Sequence, residues 1–273
     1  MTIGLNSVKK WGQKMKSLKR TIYKFLIFCL SAMPIQAQQS EGTAFGFGQA
    51  SSGFSIGLGA LAAKTPYDSS FSTRIIPYFR YQSQNLTIGG TEGVSYKFLS
   101  DYNLTASIAM KPRMSPYSDG DTDLLTGMKR NSSVDLSLTG TMNIARGTSF
   151  IIEAATEVTG EHNGQELDFS VRQFVPGFGT PVFLTAGVKR QNANLASFLY
   201  GVEASEELAT RRTYSTGAVL LPYISANTIY GLSDSISLFG NTGLTIYPKK
   251  VLNSPIINER TSLNLIGGLA FTF

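Results

Sequence analysis

Counted back from the C-terminus in steps of two, the chain reads Phe273, Phe271, Leu269, Gly267, Leu265 and Leu263, while the residues between them are Thr272, Ala270, Gly268, Ile266, Asn264 and Ser262. A period of two puts successive side chains on opposite faces, so this segment is a strand with one apolar face and one smaller, more polar face. The same alternation returns upstream. Val134, Leu136, Leu138, Met142 and Ile144 alternate with Asp135, Ser137, Thr139, Thr141 and Asn143. Leu104, Ala106, Ile108 and Met110 alternate with Thr105, Ser107, Ala109 and Lys111. Ile236, Leu238, Leu244 and Ile246 alternate with Ser237, Asn241, Thr245 and Tyr247, with Phe239 falling on the polar side. Two architectures satisfy this pattern: a barrel with its apolar face outward to lipid, or a water-soluble sandwich with that face inward.

Charge helps to choose between them. The chain carries 24 Lys and Arg, 18 Asp and Glu and a formal charge of +6, which would ordinarily point to nucleic acid. Seven of those cations, Lys9, Lys10, Lys14, Lys16, Lys19, Arg20 and Lys24, precede residue 38 with no acid among them. They are followed by the apolar run Phe25–Met33 and by Pro34-Ile35-Gln36-Ala37. A basic stretch, a short apolar core and a small residue at the exit make a removable secretory signal, 1–37, with Met15 as an alternative start to Met1. Without it, 17 basic groups face all 18 acids. The mature chain is close to neutral and nucleic acid is not an expected partner. The sole Cys29 and sole Trp11 leave with the signal, so no disulfide or cysteine metal site is expected. Beyond it no run of 18 apolar residues occurs, and no helix of bilayer length is expected.

The signal, the aromatic C-terminus and the absence of mature Cys and Trp favour the barrel. The expected fold is all-β: a transmembrane antiparallel up-and-down barrel over 53–273, preceded by a short periplasmic segment at 38–52. Strands are expected at 53–63, 73–82, 86–90, 93–99, 103–112, 132–144, 148–159, 165–175, 181–190, 217–231, 235–247 and 260–273, twelve in all, with ten as the alternative count. The even number favours splitting 86–99 after Gly89-Gly90; residues 42–50 could form a further strand. Short turns alternate with longer connections at 64–72, 113–131, 191–216 and 248–259, as short periplasmic turns alternate with outer loops in such barrels.

The closing strand, with Leu265, Leu269, Phe271 and Phe273 at alternate positions, resembles the terminal strand of bacterial outer-membrane barrels. That resemblance implies that the barrel-assembly machinery reads it. Phe198-Leu199-Tyr200-Gly201-Val202 in a long loop, the Gly57-Leu58-Gly59-Ala60 strand, Tyr67 in the first loop before a strand containing Pro77, and Asn253-Ser254-Pro255-Ile256-Ile257 before the last strand resemble the MipA/OmpV family of outer-membrane proteins. Ile257 departs from the Val usual there, and the family's longer Gly-rich stretch is reduced to Thr216-Gly217. The resemblance implies a scaffold in a Gram-negative outer membrane, contacting lipid and linking a lytic transglycosylase to a synthase in peptidoglycan remodelling. Other members are porin-like, so a small-solute channel is the alternative.

Nothing in the sequence calls for a cofactor or identifies an enzyme. His162, the only histidine, sits in the turn Glu161-His162-Asn163-Gly164 and reads as a solvated turn residue. Glu206-Glu207 and Arg211-Arg212 read as solvated charges around a short helical turn. Asp119, Asp121 and Asp123 could supply oxygen ligands to a cation but lack the rest of a recognised loop. The informative charges are Lys111, Asp135, Glu153, Glu157, Asp168, Arg172 and Lys189, all on polar faces. Charge on a lipid face costs about 2–4 kcal/mol at the midplane, so these belong inside. They would either line a selective pore or pair across a closed interior, and their mixed signs favour pairing.

Overall fold

The computed structural model describes residues 52–177 and 180–273. The expected signal peptide, with Trp11 and Cys29, and the segment 38–51, including 42–50, lie outside the described residues. Twelve strands form one closed antiparallel ring: β1 (Gly53–Lys64), β2 (Phe71–Gln82), β3 (Leu86–Gly89), β4 (Val94–Ser100), β5 (Leu104–Arg113), β6 (Ser133–Ala145), β7 (Thr148–Glu157), β8 (Gln165–Gly177), β9 (Thr180–Gln191), β10 (Val219–Gly231), β11 (Ile236–Ile246) and β12 (Thr261–Thr272). Each pairs with its sequence neighbours, and β1 closes on β12 through a register that sets Leu58 opposite Leu269 and Ile56 opposite Phe271. The strands differ from those expected by one or two residues at their ends.

The alternation fixes which face is which. Leu58, Ile75, Ile224 and Leu265 are among the large apolar residues exposed on the outside of the ring, whereas Asp135, Ser137, Thr185, Lys189, Asn227 and Asn241 are buried within it. Apolar outside and polar inside is the arrangement that hydrocarbon imposes, because only a closed sheet satisfies every backbone group within itself. Aromatic rings gather at the rim that carries the short turns. Phe54 meets Phe79 at 5.1 Å and Phe273 at 6.1 Å, and Phe174 meets Phe183 at 5.5 Å between ring centroids. Such a girdle marks a membrane interface. Val134, expected on the outer apolar face, is buried; it lies beside the 158–164 turn, whose Val158 N–H donates to its carbonyl.

Two local features shape the wall. Where β1 meets β12, a Cβ on Gly268 would lie 2.5 Å from the Leu58 carbonyl oxygen and 2.4 Å from the Phe239 ring. Glycine there lets the backbones approach and seats Phe239, the residue that broke the polar pattern of β11. The second feature is the β3–β4 hairpin, which stops far short of its neighbours. Gly89 (φ 122°) and Gly93 (φ 63°) turn it back around a single 3-10 turn, Gly90–Glu92; a side chain at Gly89 would strike the Phe79 carbonyl at 2.2 Å. The break expected after Gly89-Gly90 falls there.

Candidate functional site

At the mouth opposite the short turns, the connections 65–70, 114–132, 192–218 and 247–260 fold together as a lid. Their apolar residues make one core in which Tyr67, Tyr117, Leu125, Met128, Leu195, Leu199, Tyr200, Val202, Tyr247, Val251 and Ile256 pack over Val219 and Leu221 at the top of β10. Leu125, Leu195, Leu221 and Val251 are completely or almost completely shielded from solvent, each contributing about 1.5–3 kcal/mol.

The long 192–218 connection, expected as a loop, contains a helix, α1 (Ala193–Tyr200). The Asn192 side chain caps it by accepting the Leu195 N–H at 3.0 Å, satisfying one of the orphan donors of the first turn. Leu195, Ala196, Leu199 and Tyr200 fall on one buried face. The helix ends at Gly201, whose N–H donates to the Ser197 carbonyl at 2.8 Å; a Cβ there would stand 2.4 Å from that oxygen.

The family-motif residues meet inside the lid. Ser254, buried just after the short helix α2 (Lys249–Leu252), donates its hydroxyl to the Tyr200 carbonyl at 2.5 Å. Tyr67 donates to the Leu199 carbonyl at 2.9 Å. Val202 bridges to Tyr214, Ile256 is fully buried, and Pro255 links it to Ser254. Phe198 lays its ring against His162 at 4.5 Å, and its carbonyl accepts from Arg130 Nε at 2.9 Å.

Of the four charges expected to be solvated, Glu206 and Arg211 are drawn inside. Glu206 takes both terminal nitrogens of Arg130, one at 2.9 Å. Burial opposes charge on each, but the ion-paired hydrogen bonds prevail, holding the Glu206 carboxyl below and the Arg130 guanidinium above its ordinary range. Arg211, buried, donates to the carbonyls of Leu124 at 2.7 Å, Thr126 at 3.0 Å and Glu206 at 2.6 Å. Glu207 and Arg212 remain exposed. The sequence offered no signal for these long-range partners.

His162 is not a solvated residue either. It is half-buried, its Nε2 lies 3.2 Å from Ser133 Oγ, and its Nδ1 accepts the Gly164 N–H at 2.9 Å. Burial, and then the nearby Arg113, hold its pKa below the usual histidine range. With Nδ1 committed as an acceptor, the neutral ring carries its proton on Nε2 and has no lone pair to take a proton from Ser133. This is the reverse of a nucleophile–base pair, which needs a free Nε2 and an orienting carboxylate on Nδ1. Asp119 and Asp121 accept backbone N–H groups of Gly127 and Ser118, each at 2.7 Å, and so hold their own loop. Among the described residues no group of three or more His, Cys, Asp or Glu is placed to hold a metal ion.

Inside the barrel, one wall is charged. Lys111 binds both carboxylate oxygens of Glu153 at 2.7 Å, and Thr139 donates to the same group at 3.0 Å. Arg113 pairs with Asp135 at 2.7 Å, and Glu166 draws Arg113 at 3.9 Å, Lys189 at 3.6 Å and the Gln191 amide at 2.9 Å. Tyr223 donates to Asp168 at 2.9 Å and lies beneath the Lys189 ammonium. Arg172 shares this interior, with no carboxylate at salt-bridge distance among the described residues. Glu157 is the exception to the expected lumen set: at the rim, it accepts N–H groups from Gly160 at 2.6 Å and Asn163 at 3.0 Å and shapes the turn. Arg113 and Glu166 were missed, although Glu166 has the same parity on β8 as Asp168. The strands β10, β11 and β12 carry no charged residue: Phe239 of β11 stacks on Tyr78 at 4.9 Å, and Asn264 and Asn227 both bond to Asn241, whereas β2 brings Arg80 inside, 3.8 Å from Glu92. A cavity of about 40 Å³ between lid and wall, lined in part by Thr65, Tyr67, Leu199 and Asn264, has room for a few water molecules. At the far end, Leu265, Leu269, Phe271 and Phe273 project outward and exposed, with Phe273 edge-on to Phe271 at 4.8 Å.

The family model described as MltA-interacting protein MipA matches residues 56–273. The chain is similar to a protein provisionally named outer membrane protein YiaT in Escherichia coli O157:H7 and in strain K12, at 23% identity over 254 residues in each, covering 90% of this chain and 98% of the relative. Among solved structures it is similar to the NanC porin, with a TM-score of 0.45 at 8% identity over 80% of this chain and 100% of that one. It is also similar to the CymD monoaromatic hydrocarbon channel, with a TM-score of 0.38 at 8% identity over 82% of this chain and 88% of that one.

Proposed function

The chain belongs to the MltA-interacting protein MipA family, and from that premise we propose that it is a non-enzymatic outer-membrane scaffold for peptidoglycan-remodelling enzymes, not a conduit for solutes. The observation that carries this reading is the lid: four connections with a shared hydrophobic core cover one mouth, and the lumen behind them is braced by the Lys111–Glu153 and Arg113–Asp135 pairs. A diffusive pore needs neither feature. The geometry of Ser133 and His162 argues against a hydrolase in the barrel. The apolar exterior fits outer-membrane lipid, and the exposed Phe273 is available for the barrel-assembly machinery to read. The partner surface then falls to the short turns of the periplasmic rim, facing the enzymes of the cell wall.

Two measurements test this. Purified protein in planar bilayers should give no reproducible single-channel steps; steps of uniform size would establish the alternative, a small-solute channel. Crosslinked envelopes should yield cell-wall hydrolases or synthases when the barrel is pulled down, and their absence would remove the scaffold. Membership of the outer membrane is checked separately by fractionation and by heat-modifiable electrophoretic mobility.

A further inference from the structure

On the outside of the barrel, charge is confined to one rim. Among the described strand residues the outward face carries two charged side chains, Lys64 at the end of β1 and Arg190 near the end of β9. The registers fix their side of the wall: Lys64 pairs with Leu263 and Phe71, and Arg190 pairs with Leu167 and Leu220, all of them outward. Both are cations, and both stand at the lid end. Charge on the lipid face is strongly disfavoured at the midplane and tolerated toward the interfaces. Arg190 therefore marks the level at which hydrocarbon gives way to headgroups.

The two cations differ in how they are satisfied. Lys64 is paired with Glu259 at 3.0 Å. Arg190 is exposed, while Lys189 and Gln191 on either side of it are buried inside, and no carboxylate lies at salt-bridge distance from it among the described residues. The same holds for Lys249 and Lys250, exposed at the start of α2 directly after β11. Arg260, exposed just before β12, completes the set, and its carbonyl accepts the Tyr247 N–H at 2.8 Å, which fixes its backbone against the end of β11. Four cations thus stand along the lid rim over β9–β12 with no described acid to neutralise them. The connection between β5 and β6 has the opposite balance, with Asp119, Asp121 and Asp123 exposed beside one exposed cation, Lys129.

Below the four cations the outer wall is apolar. Leu220 is 56% exposed and Ile224 58%, with Leu184 on β9 and Ile246 on β11 exposed to either side. A phosphate at the level of Arg190 would lay its acyl chains along this strip. Guanidinium groups hold phosphate oxygens through paired hydrogen bonds, and ammonium groups add mobile point charges.

We infer that the lid rim over β9–β12 is a docking surface for a lipid with a phosphate headgroup, its phosphate held by Arg190, Lys249 and Lys250 and its acyl chains lying on Leu220 and Ile224. This rests on the membrane placement proposed above. The test uses a Trp11→Phe background, which removes the sole tryptophan, with a single reporter beneath the cations, Leu220→Trp, or on β6, Leu136→Trp. In vesicles of brominated phosphatidylcholine both reporters should be quenched; if neither is, the membrane placement itself fails and the docking surface with it. A minor fraction of brominated phosphatidic acid in unlabelled phosphatidylcholine is then compared with that value at each position. The ratio should be roughly fivefold higher at Leu220→Trp than at Leu136→Trp. Replacing the three cations together, Arg190→Gln with Lys249→Gln and Lys250→Gln, should abolish the excess, whereas Lys129→Gln should leave it in place. Equal ratios, or an excess that survives the triple substitution, overturn the proposal. An excess that Lys129→Gln also removes would mean that the summed charge of the lid attracts the lipid, and overturns the site. A second copy seated on this face would shield Leu220→Trp from both brominated lipids while Leu136→Trp stays quenched, which likewise overturns it.

Discussion

Arg130 grips Glu206 with both terminal nitrogens of its guanidinium, across two connections whose residues stand 76 positions apart in the chain. The pair, supported by the Phe198 carbonyl on Arg130 Nε, pins the 114–132 connection to the 192–218 connection. Arg130→Ala should open the lid locally by about 2 kcal/mol, the scale of a hydrogen-bonded ion pair. Limited trypsin digestion at Arg211 and Arg212 should then run roughly thirtyfold faster, while heat-modifiable mobility stays as in the parent.

Acid should loosen the same lid. His162 has its pKa lowered in the folded state, so an opened lid, in which the ring regains an ordinary pKa near 6.5, binds more protons. Its contribution is complete above about pH 6.5 and declines as the pH falls below that value. Glu206, lowered in the same sense, loses its contribution at still lower pH, below the carboxylate range. Amide exchange in α1 should accelerate between pH 7.5 and 5.5, and His162→Gln should flatten that dependence; an unchanged slope in the variant would reject the assignment.

Gly268→Ala should weaken the seam between β1 and β12. The added methyl meets the Leu58 carbonyl as well as the Phe239 ring, and overpacking of this kind costs about 1–3 kcal/mol. Adding Phe239→Ala should not restore the urea midpoint, because the backbone contact persists. Full rescue would mean that the ring alone sets the constraint.

Lys111 and Glu153 offer a double-mutant cycle. Lys111→Met and Glu153→Gln each leave a polar partner inside the barrel, so together they should cost less than their sum, with a coupling of about 1–3 kcal/mol measured by refolding in detergent. A coupling near zero would show that water in the lumen screens the pair.

Phe273 is 70% exposed and contributes little burial. Phe273→Ala should therefore refold in vitro with near-parental stability, yet accumulate less in outer membranes. Equal accumulation would argue that the terminal ring is not read during assembly.

What was legible in advance follows from how each feature is encoded. Strands such as β6 and β12 repeat a two-residue alternation over ten or more positions, and lipid enforces it at every step, so their faces and the ring could be read directly. The split at Gly89-Gly90 was reached from the even strand count alone; the positive φ of Gly89, Gly90 and Gly93 is the local reason the chain turns there. α1 escaped notice because eight residues make only two turns, and its apolar face looks like ordinary loop composition when its covering residues are unknown. Arg130–Glu206 and Ser254–Tyr200 were invisible for a related reason: connections have no period, and their pairing is decided by the barrel that brings their ends together. His162 was misread because its neighbour Phe198 lies on another connection.

The lid has a consequence for how the barrel is completed. Its core draws on four connections, each carried by a different pair of strands, so it cannot form until the last of those strands has joined the ring. Once formed, it is held together by Arg211, which reaches carbonyls on two of the connections. Removing any of those strands would require dissolving that shared core first. Closing the ring and closing the lid are therefore a single event for this chain.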